Sequence, residues 1–246
     1  MEEQIYKIKN IDSFELKDIF DCGQCFRWNE EDDGSYTGVF KGNVLNVSKN
    51  DKEITFKGVC NGNIKDIVED YFDLKRDYEK IKEELSKIDE NMKTSIEYGK
   101  GIRILNQDLF ETIISFIISA NNNIPRIKGI IERLSKKYGD EIIWNGKEYY
   151  AFPTAKSLKD VSVKEYRDLG LGFRDVRLYE TVKMILEGKV DLEELENNPN
   201  TTEVREKLLT LSGVGPKVAD CILLFSDLKR FEVFPIDVWV RRVMND

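Results

Sequence analysis

Histidine is absent from all 246 residues. Its absence excludes serine–histidine–aspartate and cysteine–histidine nucleophile systems and every histidine-based zinc site. Acid–base chemistry is left to Asp, Glu, Lys, Tyr or Cys. Cysteine is scarce, with Cys22, Cys25, Cys60 and Cys221 only. The opening Met1-Glu2-Glu3-Gln4-Ile5-Tyr6 has no basic region leading into an apolar stretch. No secretory signal is therefore expected, the thiols are expected to be reduced, and the location is expected to be intracellular. Cys22-Gly23-Gln24-Cys25 is a CxxC, but it lacks a second CxxC and a thioredoxin-like βαβ context, so it reads as two small buried residues. No window approaches the roughly 18 consecutive apolar residues needed to span a bilayer, and no membrane partner is expected.

What is present describes a globular chain. Apolar residues make up 41% and charged residues 34%, which excludes a disordered polymer. The length suits one large domain or two or three small ones, with enough core to need no disulfide or metal staple. The net charge is −8, at first sight poor for a polyanion partner, but the charge is unevenly spread. Lys65 to Glu97 carries 11 acidic and 7 basic residues, and Glu187 to Glu206 carries 7 and 2. Asn123 to Arg177 carries 12 basic and 8 acidic residues, a net of +4. The local field, not the total, governs a polyanion site.

Residues 1–60 read as β. Ser35–Lys41, Val44–Ser48 and Ile54–Lys57 are short and rich in β-branched and aromatic residues, with turn signals at Asp33-Gly34, Gly42-Asn43 and Asn50-Asp51. They predict an antiparallel meander. Ile64, Ile67, Val68, Tyr71 and Phe72 then recur at helical spacing, as do Tyr78, Ile81, Leu85 and Ile88. Gly99-Lys100-Gly101 marks a joint, and everything after Gly101 reads as helix. The expected architecture is α+β, an N-terminal antiparallel β domain over residues 1–98 followed by an all-helical domain over 99–246. The helical part divides into lobes at about 101–190 and 191–246.

Leu211-Ser212-Gly213-Val214-Gly215-Pro216-Lys217 joins an amphipathic helix to the apolar stretch Val218–Phe225. The glycines permit positive φ and close backbone approach. Pro216 suits the first helical position, leaving the following amides at a helix N-terminus, an anion site. A plain glycine-capped corner is the alternative. Lys217 and Cys221 stand at i and i+4, on one helix face. Asp237, after Phe234-Pro235-Ile236, is at least an N-cap.

Leu-x-Gly-Val-Gly-x-Lys-x-Ala-Asp followed by Val-Phe-Pro-Ile-Asp resembles the helix–hairpin–helix and Gly/Pro…Asp signature of base-excision DNA glycosylases. Lys217 resembles the bifunctional glycosylase/lyase branch. Gly23-Gln24-Cys25-Phe26-Arg27-Trp28, the run Gln107-Asp108 through Ser119-Ala120-Asn121-Asn122-Asn123-Ile124-Pro125-Arg126-Ile127, and Gly170-Leu171-Gly172-Phe173-Arg174 are similar to motifs of the 8-oxoguanine DNA glycosylase family. The matches run in order from about residue 16 to the end. The resemblance implies a helix–hairpin–helix glycosylase domain with a lesion cleft between its two lobes. Its implied partner is double-stranded DNA with 8-oxoguanine opposite cytosine, met by a monomer.

By resemblance, Lys217 and Asp237 are catalytic. The lysine amine attacks the sugar C1′ and leaves a Schiff base, from which β-elimination breaks the strand. Making a lysine neutral at pH 7 costs about 4–5 kcal/mol unless burial lowers its pKa. Asp237 either removes that proton or stabilises the cationic sugar, and the second role suits a weak base better. The Gly23 carbonyl meets the N7–H of the lesion, Phe116 stacks on the base, and Cys221 forms an ammonium–thiolate dipole with Lys217. Asn121 fills the gap left by the flipped base, Arg126 and Arg174 donate to the estranged cytosine, and Phe173 wedges beside it. From the residues alone, Asn121 reads as a helix-ending polar cluster, and Phe173 and Cys221 read as core. Asn122, Gly213, Gly215, Val218 and Trp239 are implied phosphate contacts, with Trp239 standing where the family commonly has histidine.

The resemblance implies no required cofactor, and the given residues hold no four-cysteine iron–sulfur loop. It does imply a structural cation on the carbonyls of Leu209, Leu211 and Val214, which the residue types themselves do not show. It also implies further helices, since the chain stops nine residues after Asp237. Two other readings stay open at this point. A non-catalytic helix–hairpin–helix module would need neither Lys217 nor Asp237, and a glycosylase for another damaged base would use Asp237 with water.

Overall fold

The computed structural model describes residues 2–9, 11–51 and 53–245. These form two compact units, Met1–Asn106 with Glu141–Ala151, and Gln107–Asp140 with Phe152–Asp246. The expected joint at residue 99 therefore falls later. Residues just after it are tied into the first unit: the Gly101 carbonyl accepts from the Glu15 N–H at 3.1 Å. The Arg103 guanidinium, buried, donates to the carbonyls of Asp12, Ser13 and Asp73.

The first unit is a five-stranded antiparallel sheet of β1 (Glu3–Lys9), β2 (Trp28–Glu30), β3 (Tyr36–Phe40), β4 (Asn43–Lys49) and β5 (Glu53–Val59), in the order β1-β5-β4-β3-β2. The meander is present, with β1 added on β5 as an edge that composition did not single out. Lys41 and Gly42, both at positive φ (48° and 71°), make the tight β3–β4 turn, the twist-compatible hairpin geometry. Helices α1 (Leu16–Phe20), α2 (Ile64–Tyr71), α3 (Tyr78–Leu85) and α4 (Glu90–Tyr98) complete this segment.

The expectation of helix throughout the rest fails at β6 (Glu141–Trp144) and β7 (Lys147–Tyr150). Asn145 and Gly146 form their turn with φ of 50° and 71°. Asn-Gly between apolar runs is a strong local hairpin signal, and here it closes a two-stranded sheet within an otherwise helical part of the chain. The hairpin explains why β3 is buried at every position. One sheet face carries Phe40, Leu45, Val47 and Phe56 in the main core with α1 and α2 residues. The other packs Val39, Val44 and Val59 against Ile142 and Trp144.

The Gly23–Trp28 motif is largely scaffold. Gln24 donates to the carbonyls of Ile19 and Arg103 and accepts from the Leu105 N–H. Trp28 pairs with Gly38 across the sheet, and a Cβ on Gly38 would lie 2.3 Å from the indole. Cys22 and Cys25 donate to the carbonyls of Ile19 and Phe20, so both thiols serve the end of α1.

The second unit is helical: α5 (Leu109–Ser119), α6 (Ile124–Tyr138), α7 (Val163–Asp168), α8 (Asp175–Leu186), α9 (Leu192–Asn197), α10 (Thr201–Leu209), α11 (Pro216–Phe225) and α12 (Val238–Asn245). Asp108 and Asn123 cap α5 and α6 with their side chains, as expected of such residues. A Ser162/Glu165 capping box opens α7, and hydrogen bonds from Ser162 hold the Glu165 carboxyl at about 2. α5 is buried along nearly its whole length and packs on α11. Among the described residues, no helix is long and apolar enough to cross a membrane.

Gly58 is the sharpest test of the sheet. A Cβ there would stand 2.0 Å from the Val44 carbonyl oxygen, a backbone atom that cannot swing away. Gly58→Ala is expected to destabilise the protein by about 1–3 kcal/mol, read as a lower midpoint in urea unfolding. An unchanged midpoint would disprove the close β4–β5 approach.

Candidate active site

The turn between α10 and α11 carries the sharpest sequence signal, and its two glycines do different work. Gly213 has φ of +87°, and a Cβ on it would lie 3.0 Å from Arg177 Cδ and 3.4 Å from Ile117 Cγ2. Both backbone conformation and space require glycine there. Gly215 has φ of −93° and open space around its Cα, so positive φ is not its reason. It is the N-cap of α11, no side chain caps that end, and Pro216 follows at the first position. The Lys217 and Val218 amides thus belong to an uncapped helix start, where donors lack intrahelical partners. The Leu211 carbonyl accepts the Val214 N–H at 3.1 Å. Ser212 is fastened to α8, its hydroxyl donating to Glu180 at 2.6 Å and its carbonyl accepting from Thr181 at 2.9 Å.

The first turn of α11 sets Lys217 above α5. Lys217 Nζ stands 5.3 Å from the centroid of the Phe116 ring, a cation–π distance. Phe116 is 2% exposed and its ring stacks with Phe225 at 5.9 Å. One helical turn beyond Lys217 lies the Cys221 thiol, on which the charges of Lys217 and Asp237 both act. Lys217, Cys221 and Phe116 therefore share one neighbourhood, and Asp237 lies within range of its charge interactions. Burial is the largest influence on Cys221 and pushes its pKa up; the Lys217 charge opposes, while Asp220 and Asp237 add to the rise. Burial, the largest influence on the thiol, therefore works against the thiolate half of the expected ammonium–thiolate dipole. Asp237 caps α12, its Oδ1 accepting from the Trp239 and Val240 amides at 2.9 and 2.8 Å. The Trp239 indole is exposed with Arg242 over it at 4.8 Å.

A second cluster lies between α5, α6 and α8. Asn121 is exposed and holds a left-handed φ of 50°, a conformation that asparagine tolerates better than most. Asn122 donates to the Ile118 carbonyl at 3.1 Å. Arg126 is exposed and reaches the Gly170 carbonyl at 3.2 Å. Phe173 is 54% exposed, so core packing is not its role. Arg174 departs from the expected free donor. It is 1% exposed, and its guanidinium donates to the carbonyls of Ala120, Asn121 and Leu171. It is buried scaffolding for the Asn121 turn, and it also underlies the Phe173 ring at 4.2 Å. Burial lowers its pKa, and the charges of Arg126 and Arg177 lower it further.

Gly23, in the first unit, has φ of +86°, and no atom lies within 4 Å of a Cβ built on it. Its backbone angle, rather than crowding by the protein, demands glycine. Arg177 was not visible as a site residue in the sequence. It sits one turn into α8 with ordinary amphipathic spacing, and only the fold brings it between Phe173 and the hairpin.

Comparisons with known proteins identify the family. Residues 7–113 match the family model of the 8-oxoguanine DNA glycosylase N-terminal domain. Residues 114–246 match the helix–hairpin–helix Gly/Pro…Asp superfamily of base excision DNA repair proteins. A probable N-glycosylase/DNA lyase of Methanothermobacter thermautotrophicus is 34% identical over 202 residues, covering 74% of this chain and 63% of that protein. The Clostridium acetobutylicum 8-oxoguanine glycosylase/lyase in its apo form is 44% identical with a TM-score of 0.93, covering 99% of this chain and 85% of that one. The same enzyme with double-stranded DNA containing cytosine opposite 8-oxoguanine also gives 0.93, with 83% of that chain covered. The chain spans just under two thirds of the Methanothermobacter relative. With both halves matched and the charges of the hairpin lysine and capping aspartate both acting on Cys221, the chain belongs to the 8-oxoguanine DNA glycosylase family of the helix–hairpin–helix superfamily.

Proposed function

We propose that this protein excises 8-oxoguanine from duplex DNA opposite cytosine and then nicks the strand. The observation that carries the reading is Lys217 over the Phe116 ring at 5.3 Å, with Asp237 near enough for its charge to act on Cys221, one helical turn beyond the lysine. A nucleophilic amine beside a fixed carboxylate is what glycosylase/lyase chemistry requires. A binding module has no use for that pair.

Flipping the damaged base costs a few kcal/mol. Asn121, exposed on its turn, enters the vacated stack, and Phe173 wedges beside it. Arg126 donates to the estranged cytosine, while Arg174 holds the Ala120 and Asn121 carbonyls and so fixes the presentation of Asn121. The Gly23 carbonyl accepts the N7–H that guanine lacks, a discrimination worth about 1–3 kcal/mol. Stacking of the base on Phe116 requires the ring face under Lys217 to be uncovered, since the ring is otherwise buried. That shift moves the amine off the ring and toward the sugar.

In the chemical step, neutral Nζ of Lys217 bonds to C1′, and the C1′–N9 bond breaks with its electron pair leaving on the base, which takes up a proton. Ring opening gives an imine between Nζ and C1′. Loss of the C2′ proton then expels the 3′ phosphate by β-elimination. Asp237 stabilises the cationic sugar, its position fixed by the two α12 amides it caps. The amides of Gly213, Gly215 and Val218 grip a backbone phosphate, with Asn122 and the Trp239 indole as further contacts. The carbonyls of Leu209, Leu211 and Val214 are the candidate ligands of a structural cation, although that of Leu211 already serves its own turn. The DNA substrate carries with it an intracellular location and a protein acting as a monomer.

Borohydride trapping on a duplex with 8-oxoguanine opposite cytosine tests the reading. Wild type is expected to give a covalent adduct, and Lys217→Gln to lose it together with at least roughly a thousandfold in excision rate. Asp237→Asn preserves the helix cap and is expected to slow excision about 100- to 1,000-fold. Lys217→Gln that excises at the normal rate would instead point to a water route, and duplex binding without any adduct to a non-catalytic module. Asn121→Gly keeps the left-handed backbone while removing the side chain. It is expected to weaken lesion-duplex binding about tenfold, equivalent to roughly 1.4 kcal/mol, with the melting temperature retained. Unchanged affinity would remove Asn121 from the gap-filling role.

A further inference from the structure

Around Phe173 the arginines are unequally committed. Arg174 spends its donors on three backbone carbonyls, and Arg126 spends one on Gly170. Arg177 donates to no carbonyl and pairs with no carboxylate among the described residues. The acid on the same helix face, Glu180, accepts from the Ser212 hydroxyl instead, and Asp175, two residues before Arg177, pairs with Arg167. The Arg177 stem is fixed, with Cδ 3.0 Å from where a Gly213 Cβ would stand. Its guanidinium carbon is 5.3 Å from the Phe173 centroid, on the ring that Arg174 also faces.

Arg177, Glu180 and Thr181 share one face of α8, at i, i+3 and i+4. Thr181 and Glu180 clamp Ser212, so this face is the buttress of the hairpin. Arg177 is the member of the trio left with a free charged end, and it ends between the hairpin and the exposed Phe173. A guanidinium whose stem is immobilised by packing loses little further freedom when it binds, and its planar fork fits a phosphate.

We infer that Arg177 contacts a DNA phosphate beside the hairpin, joining a side-chain cation to the backbone-amide site. This rests on the reading of the hairpin as a phosphate grip. It gives the acidic chain a fixed positive charge where the polyanion passes. Contact with phosphate rather than base means that affinity falls evenly across sequences when the charge is removed.

The test is duplex binding by the full chain, followed by fluorescence anisotropy over a range of salt, using undamaged DNA and DNA with 8-oxoguanine opposite cytosine or adenine. Arg177→Met keeps the packed stem and removes the charge. It is expected to raise Kd about three- to tenfold at low salt and to lower the slope of log K against log salt by about one. Arg177→Lys is expected to restore the slope, and Arg177→Gln serves as a second neutral variant should the methionine form fail to fold. Unchanged slope and affinity in a folded neutral variant overturn the inference and leave Arg177 as packing. A change in preference between cytosine and adenine assigns the group to a base and also overturns it. Binding does not require Lys217 chemistry, so loss of the slope alongside absent borohydride adducts would uphold Arg177 while rejecting the catalytic reading.

Discussion

A side chain at position 213 would be strained by its backbone and crowded by its neighbours, and the second unit is organised around that fact. Its backbone is left-handed, and the space a Cβ would fill is bounded by Arg177 and Ile117. α8 and α5 therefore close directly onto the hairpin, and Thr181 and Glu180 of α8 fasten Ser212 beside it. With the turn fixed, Pro216 starts α11 in one place. The helical period then aims Lys217 at Phe116 and brings Cys221 beneath it. The Lys217 amine owes its position to the glycine turn that precedes α11.

The arginines around Asn121 illustrate how one residue type divides its labour. Arg174 is buried and its donors are consumed by carbonyls of a strained turn. An unpaired buried carbonyl costs about 1–3 kcal/mol, so this guanidinium is part of the scaffold. Arg126 and Arg177 stand near enough to influence its titration, yet they keep donors for other uses. The mutual repulsion of these three cations is tolerated because each is anchored differently, by carbonyls, by a loop or by its packed stem. A local positive field results in a chain whose overall charge is −8, and on the proposed reading that field is what meets DNA.

The lysine's neighbourhood is likewise governed by burial. Burial and the charges of Asp220 and Asp237 push the Cys221 thiol's pKa up, against the opposing charge of Lys217. Asp237 is oriented by the helix it caps, and capping consumes only the lone pairs turned toward α12.

Much of this was legible in the residues themselves. Strands β3, β4 and β5 of the first sheet, the Gly213 turn and the Lys217–Cys221 face follow from rules that act over a few residues, where backbone sterics and hydrogen bonding are decided locally. The Asn145-Gly146 hairpin obeys such a rule within an otherwise helical part of the chain. What the order of residues did not reveal depends on which distant atoms meet. The same guanidinium is a free donor or a buried strut according to whether the Ala120 carbonyl faces it, 54 residues away. Arg177 gained its place between Phe173 and Gly213 only when α8 met the hairpin, and the Cys221 thiol's pKa rises only through its burial. Solvation and donor pairing are set by neighbours in space, so they become fixed only when the chain closes.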